Sequence, residues 1–178
     1  MTDFDTLAHP RGAAGKFTDR THSAPERGLS HPVCHLLDNY GDEFLLTPGI
    51  IDDNARHVFT EGQALALAAG VSRATGWPLV IRTSGDGRGT SGPPALIHAW
   101  VEDPDGDLID INGLNDREES DDKFDGSIDR QSTFTIDEFD NLFARYRGFI
   151  PAQEQETAAE FVDAVLNLWS RDRANKVV

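Results

Sequence analysis

The sequence predicts an α+β domain in which a buried central helix packs on an antiparallel sheet, with C-terminal helices on the outside. Three features indicate this class: a helical segment with hardly a charge between Thr60 and Gly76, a hairpin signal at residues 97–111, and amphipathic helical patterns after residue 135. Of the 178 residues, 38% are apolar, which is enough for one core of ordinary domain size. Residues 1–30 show no sustained period and predict an irregular N-terminal arm, so a single domain is expected over residues 31–178.

The charge of the chain limits its partners. Thirty-one acidic side chains against sixteen basic ones give a net charge of −15. Nucleic acid and membrane surfaces carry negative charge of their own and would repel such a molecule. We therefore expect the partner to be a peptide or a protein, and a basic one would complement the charge of this chain. Binding to nucleic acid or to a membrane is not expected.

The location of the protein is predicted from what the sequence lacks. No stretch approaches the roughly 20 apolar residues that span a bilayer, and the first residues lack the basic and apolar regions of a secretory signal. A single cysteine, Cys34, provides no disulfide framework. These features predict a cytoplasmic protein. The sequence implies no metal or organic cofactor.

The central helix is predicted from its end signals. Thr60 and Gln63 fit a capping box, which would start the helix at Thr60, and Gly76 followed by Pro78 would end it. Residue 64 then falls in the first turn, where the helix dipole favours a thiolate and free backbone N–H groups could hold an oxyanion. Gln63 is a capping partner in this interpretation, with a role in binding substrate or an oxyanion as its alternative.

The hairpin is predicted from its turn. Asp103-Pro104-Asp105-Gly106 has the chemistry of a type I turn closed by a left-handed glycine, which makes a three-residue loop. Asp103 should then pair with Asp107, and the same register sets two further pairs, Trp100 with Asp110 and His98 with Asn112. Because side chains alternate along a strand, one wholly apolar face is expected to meet the core, formed by Ile97, Ala99, Val101, Ile109 and Ile111.

The opposite face of the hairpin carries the candidate site. His98, Trp100, Asp110 and Asn112 share it, and diagonal neighbours in such a pair lie about 7 Å apart at their Cα atoms. An imidazole and a carboxylate can meet at that separation. Asp110 is therefore expected to contact His98, with Asn112 as a rival. Trp100 is expected to pack beside the imidazole and shield it from water, with a role in binding substrate or an oxyanion as its alternative.

Together these residues resemble a known enzyme core. A glycine two positions before a helix of small apolar residues, a strand that opens His98-Ala99-Trp100 and a second strand with Asp110 look like the papain-like and transglutaminase-like cysteine enzymes. The resemblance extends from Phe59 to about Gly113. In that superfamily a cysteine attacks an acyl carbon, a histidine carries its proton and an aspartate or asparagine orients the histidine.

The resemblance implies a role for each matching residue. Residue 64 takes the position of the nucleophile, His98 that of the base and Asp110 that of the orienting group. Ala64 departs from the pattern, because a methyl group cannot attack a carbonyl carbon. Two hypotheses follow. The chain is either a cysteine hydrolase or acyltransferase (protease, deamidase or transglutaminase-like) that lacks its nucleophile, or a noncatalytic protein-binding or peptide-binding factor of the immunity or phage type.

The remaining segments add structural expectations. The glycine-rich residues 84–94 predict a mobile loop rather than a phosphate-binding loop. Cys34 is a second possible nucleophile, although nothing near it in sequence favours a thiolate. Thr135 and Glu138 predict a capping box at the start of a short helix, and Pro151 precedes a longer predicted helix that contains Ala158 and Trp169.

Overall fold

The computed structural model describes residues 33–84, 95–115, 117, 129–145, 150 and 152–176. All the described residues belong to one compact unit, within Pro32–Val178. The predicted N-terminal arm and residues 85–94 of the predicted glycine-rich loop lie outside the described residues.

The described residues contain seven strands and five helices. In chain order they are β1 (Cys34–Leu37), β2 (Glu43–Leu46), α1 (Asp53–Glu61), α2 (Ala64–Thr75), β3 (Leu79–Ser84), β4 (Ala95–Glu102), β5 (Leu108–Asp110), β6 (Gly113–Asn115), β7 (Asp129–Phe134), α3 (Ile136–Arg145), α4 (Ala152–Ala159) and α5 (Val162–Lys176). None of these helices is long and apolar enough to cross a bilayer.

The main sheet is antiparallel throughout. Its five strands lie in the order β6-β5-β4-β3-β7, and β1 and β2 form a separate two-stranded hairpin. Helix α2 packs on β3, β4 and β5, while α4 and α5 pack against α2. This arrangement confirms the α+β class with a buried helix on an antiparallel sheet.

The start of the central helix differs from the prediction. Thr60 lies inside α1, which begins at Asp53 and is capped by the side chain of Asp52 on the backbone N–H of Ala55 at 2.9 Å. Helix α2 begins at Ala64 and has no side-chain cap. The predicted capping box is wrong because Gln63 turns away from the helix and donates its amide to the carbonyl of Leu37 at 3.1 Å.

The two helices are separated at Gly62 by a close backbone contact. A Cβ atom at Gly62 would lie 3.0 Å from the Cα of Asp38, a distance that real Cβ atoms rarely allow. Glycine therefore lets the chain pass the first hairpin and begin a new helix. The predicted end of α2 is confirmed, since Gly76 takes the left-handed conformation with φ of 75°.

The turn between β4 and β5 has the predicted geometry. The backbone N–H of Asp103 donates to the carbonyl of Asp107 at 2.9 Å, and that of Gly106 donates to the carbonyl of Asp103 at 3.0 Å. Gly106 has φ of 90°, as the closing position requires. Val101 lies opposite Ile109, so the predicted register between the strands is confirmed next to the turn.

One face of this hairpin enters the main core as predicted. Four of the five expected side chains are buried there with α2: Ala99, Val101, Ile109 and Ile111. The fifth, Ile97, is an extra residue in β4, because Arg82 pairs with His98 while Thr83 pairs with Leu96. This β-bulge locally changes the alternation of side chains.

The C-terminal helices match the prediction in part. The capping box of α3 is confirmed, because the N–H of Thr135 donates to Glu138 at 2.9 Å and the N–H of Glu138 donates to the threonine hydroxyl at 3.3 Å. The longer helix is interrupted between α4 and α5 by a turn at residues 160–161. That turn directs Phe161 into the core, where its ring lies 5.1 Å from the ring of Phe59.

Candidate functional site

His98 and Asp110 form the centre of the candidate site. Nε2 of His98 lies 3.1 Å from Oδ2 of Asp110, and the two side chains are only 4% and 9% exposed. The turn at residues 103–107 sets the register that makes this contact possible, since Val101 lies opposite Ile109 and the strands continue from there towards His98 and Asp110. The contact between the imidazole and the carboxylate is therefore confirmed.

The surroundings of Asp110 favour its charged form. Burial alone would raise the pKa of Asp110, but hydrogen bonds from His98 and from the backbone N–H of Asn112, with the electrostatic attraction of the imidazole, hold that pKa below its ordinary value. The N–H of Asn112 donates to Oδ1 at 2.7 Å. Both oxygens of the carboxylate thus have a donor, which makes Asp110 a fixed acceptor for the histidine ring.

Trp100 packs against the histidine ring as expected. The two ring centroids lie 4.5 Å apart at an angle of 66°, an edge-to-face arrangement. Trp100 is buried with Val80 and Leu108 in a second, smaller cluster. The histidine and the carboxylate are themselves almost fully buried, and their mutual attraction is stronger there than in water.

Asn112 does not lie opposite His98, and its predicted pairing is wrong. Strand β5 ends at Asp110, and the chain reverses through residues 111–112 so that Gly113 pairs with Asp110. The side-chain oxygen of Asn112 accepts a hydrogen bond from Arg56 of α1 at 2.9 Å. The contact of Asn112 with the candidate site therefore runs through its backbone N–H, which donates to Asp110.

Ala64 occupies the first position of α2, in the first turn as predicted. It is 5% exposed and belongs to the main core, together with Ala99 and Val101 of β4. Gln63 precedes it as the N-cap residue without a side-chain cap on the helix. Because the amide of Gln63 is bound to the carbonyl of Leu37, the structure gives this residue a role in holding the first hairpin.

Strand alternation places His98 on the other face of the sheet. Successive side chains point to opposite faces, so Ala99 faces α2 while Trp100 faces away from it. The ring contact shows that His98 lies on the same side as Trp100. The strand backbone therefore lies between His98 and the core that contains Ala64, while the imidazole of His98 meets the carboxylate of Asp110 on the opposite face.

A second histidine–aspartate pair was not predicted from the sequence. Nε2 of His57 lies 3.0 Å from Oδ2 of Asp38, whose other oxygen accepts the backbone N–H groups of Tyr40 and Asp42 at 2.8 and 3.0 Å. The hydrogen bond from His57 and burial act in opposite directions, and the pKa of Asp38 is lowered. Asp38 thus fixes the turn of the first hairpin and joins it to α1.

The signal for this pair is a repeated turn motif. Asp38-Asn-Tyr-Gly-Asp42 has the same spacing as Asp103-Pro-Asp-Gly-Asp107. In the second turn Oδ1 of Asp103 likewise accepts two backbone N–H groups, from Asp105 at 2.9 Å and Asp107 at 3.0 Å. A comparison of the two segments would have predicted a hairpin at residues 34–46 with the first aspartate as its anchor.

Neither a metal site nor an activated thiol emerges from the described residues. They contain no group of three or more histidine, cysteine, aspartate or glutamate side chains that could hold a metal ion. Burial raises the pKa of Cys34 above its ordinary value, and its Sγ lies 3.6 Å from the carbonyl of Leu46. The thiol of Cys34 is therefore poorly suited to act as a nucleophile.

No family model, curated protein or solved structure matches the chain. The resemblance to papain-like and transglutaminase-like enzymes therefore stays a prediction.

Proposed function

We propose that this chain is a noncatalytic protein that binds a peptide or another protein on a frame resembling that of a cysteine acyl-transfer enzyme. The observation that carries the proposal is the position of Ala64, a methyl group in the core on the face of the sheet away from His98. A methyl group cannot attack an acyl carbon. His98 lies on the face of β4 opposite the core that contains residue 64, a placement that does not favour its acting as a base on that residue.

The burial of Ala64 supports the same conclusion. Only 5% of the residue is exposed, and its neighbours in the core are apolar. Alanine is the strongest intrinsic helix former, so at this position it serves both the helix and the packing. A substrate carbonyl would need an open approach to residue 64, which this packing does not favour.

His98 and Asp110 have a structural role in this proposal. The hydrogen bond between them gives each of these buried polar side chains a partner on the neighbouring strand. A buried polar pair of this kind can select one strand register over the alternatives. A shift of one residue between β4 and β5 would put the two side chains on opposite faces of the sheet. The hydrogen bond therefore disfavours the alternative register.

The charge of the molecule supports a basic partner. A net charge of −15 over 178 residues attracts cationic segments and increases their rate of encounter. The same charge favours a peptide or protein partner over nucleic acid or an anionic membrane.

The second candidate is a cysteine hydrolase or acyltransferase, such as a protease, deamidase or transglutaminase-like enzyme, that lacks its nucleophile. The observation that favours it is the 3.1 Å contact between His98 and Asp110, the arrangement in which an aspartate orients a catalytic histidine. The start of α2 at residue 64 also fits, because a helix N-terminus stabilises a thiolate.

An activated ester separates the two candidates. Ala64→Cys is made in a Cys34→Ser background, so that one thiol is present, and p-nitrophenyl acetate is added with and without His98→Ala. We expect slow release of p-nitrophenolate at the rate of the Cys34→Ser parent. A burst of about one equivalent per chain that disappears in the His98→Ala variant would overturn the noncatalytic proposal in favour of the enzyme frame.

A further inference from the structure

We infer that the outward face of the β1–β2 hairpin is a docking surface for a basic amphipathic helix of a partner protein. We call this surface the hairpin face, and its side chains are Val33, His35, Leu37, Glu43 and Leu45. The inference rests on the proposed binding role and names its surface and the chemistry of its partner.

Exposed apolar side chains concentrate in this part of the chain. Val33, Leu37 and Leu45 are 54%, 50% and 54% exposed. Of the other large apolar side chains exposed among the described residues, Tyr40 and Ile50 lie in the same stretch and only Leu142 lies elsewhere. Contiguous apolar side chains on a protein surface indicate a contact site.

The pairing of the strands makes these side chains neighbours. Leu45 lies directly opposite His35, and Leu37 lies opposite Glu43. Leu45 is therefore the diagonal neighbour of both Leu37 and Val33, at a separation of about 7–8 Å. The opposite face of the hairpin is the one that packs into the core, through Leu36 and Leu46.

The edges of the hairpin favour docking on its face over the addition of a strand. The carbonyl of Leu37 accepts the amide of Gln63 at 3.1 Å, and the carbonyl of Leu45 accepts the amide of Asn54 at 3.2 Å. These side chains occupy acceptors on the outer edges of both strands, which an added strand would need. A helix packed on the hairpin face would leave these two hydrogen bonds in place.

The charge around the hairpin face specifies a cationic partner. Residues 33–54 contain five acidic side chains and neither lysine nor arginine. One of the five, Asp38, is buried against His57, and the other four are exposed: Asp42, Glu43, Asp52 and Asp53. Exposed apolar side chains in a stretch whose charged side chains are all acidic match a helix with an apolar stripe flanked by lysine or arginine.

A second copy of the chain is a poorer occupant. Two such faces would bring their carboxylates together, and each chain has a net charge of −15. Like charges opposed across an interface disfavour association. The complementary occupant is therefore a basic segment of a different protein.

Binding of a model helix tests the inference. A fluorescein-labelled amphipathic peptide of leucine and lysine is titrated with the 178-residue chain, and the anisotropy of the label reports the affinity. The variant Leu37→Ser/Leu45→Ser removes the apolar contacts, and Leu142→Ser is the matched control because it replaces an exposed leucine on α3. We expect the double variant to bind at least about tenfold more weakly and the control to bind as the parent does.

Three outcomes would overturn the inference. They are equal affinity of the parent and the double variant, equal binding of a peptide with glutamate in place of lysine, and a parent dimer in sedimentation that the double variant abolishes. Circular dichroism checks that each variant is folded, and Leu45→Ser alone is used if the double variant is not. The ester test at residue 64 addresses another surface, so a failure of docking and a failure of the noncatalytic proposal are distinguishable.

Discussion

The indole N–H of Trp169 donates a hydrogen bond of 3.1 Å to Oδ2 of Asp103. Asp103 begins the turn between β4 and β5, and its other oxygen holds the backbone of that turn. One carboxylate thus joins the hairpin that bears His98 to the C-terminal helix. Asp38 does the same for the first hairpin, with His57 in place of Trp169.

Asp103→Asn should destabilise the protein by about 2 kcal/mol. The amide oxygen can still accept the two backbone N–H groups of the turn, but the NH₂ group then faces the N–H of Trp169, and two donors cannot bond to each other. Urea unfolding measures the loss. Asp105→Asn is the control, since Asp105 is an exposed turn residue that pairs with Arg173. Equal stability of Asp103→Asn and the parent would show that the bond to Trp169 contributes little.

The stability of the protein should depend on the ionisation of Asp110. Its pKa is lowered in the folded state, so the carboxylate stabilises the fold fully above its unfolded pKa of about 3.9. That contribution is lost as the pH falls through the lower folded pKa. The difference in free energy of unfolding between the parent and Asp110→Asn should therefore be constant above about pH 5 and decrease in more acidic solution. A difference that does not change with pH would contradict the role of the charge.

Two glycines in the left-handed region should respond differently to alanine. Gly41 has φ of 86° and open space around it, whereas Gly113 has φ of 99° and a Cβ there would lie 3.0 Å from Leu168 Cγ. Gly41→Ala should cost about 1–2 kcal/mol for the backbone alone. Gly113→Ala adds an overlap with α5 and should cost about 3 kcal/mol or more. Thermal unfolding of both variants checks the order, and equal losses would argue against the close contact of β6 with α5.

Two threonines with the same sequence signal should also differ. Thr135 caps α3, so Thr135→Ala should lower the free energy of unfolding by about 1 kcal/mol. Thr60 lies inside α1, where alanine is a better helix former, and Thr60→Ala should cause no comparable loss. Denaturant midpoints of the two variants measure the difference. A loss of similar size at Thr60 would restore the predicted capping box.

The sequence predicted the features that depend on neighbouring residues. The turn at residues 103–107 follows from the backbone preferences of Pro104 and Gly106, and its register brings His98 to Asp110. The cap at Thr135 is equally local. The end of α2 at Gly76 depends only on a left-handed glycine.

The features that the sequence did not predict depend on distant contacts. Thr60 and Thr135 carry the same pattern, but the backbone of Asp38 passes next to Gly62 and breaks the helix there. The reversal of the chain at Asn112 goes with the packing of Gly113 against α5. The face of the sheet that α2 covers is likewise set by the assembled core, and no local pattern at Ala64 reveals it.

The separation of residue 64 from His98 is tested most directly by the chemistry of a thiol at residue 64. Ala64→Cys in a Cys34→Ser background is alkylated with iodoacetamide from about pH 5 to about pH 9, with and without His98→Ala. We predict slow alkylation that rises only towards or above the ordinary thiol pKa of about 8.5 and is the same in both variants. Fast alkylation that persists below about pH 6 and collapses in His98→Ala would place the thiol beside the imidazole and contradict the noncatalytic proposal.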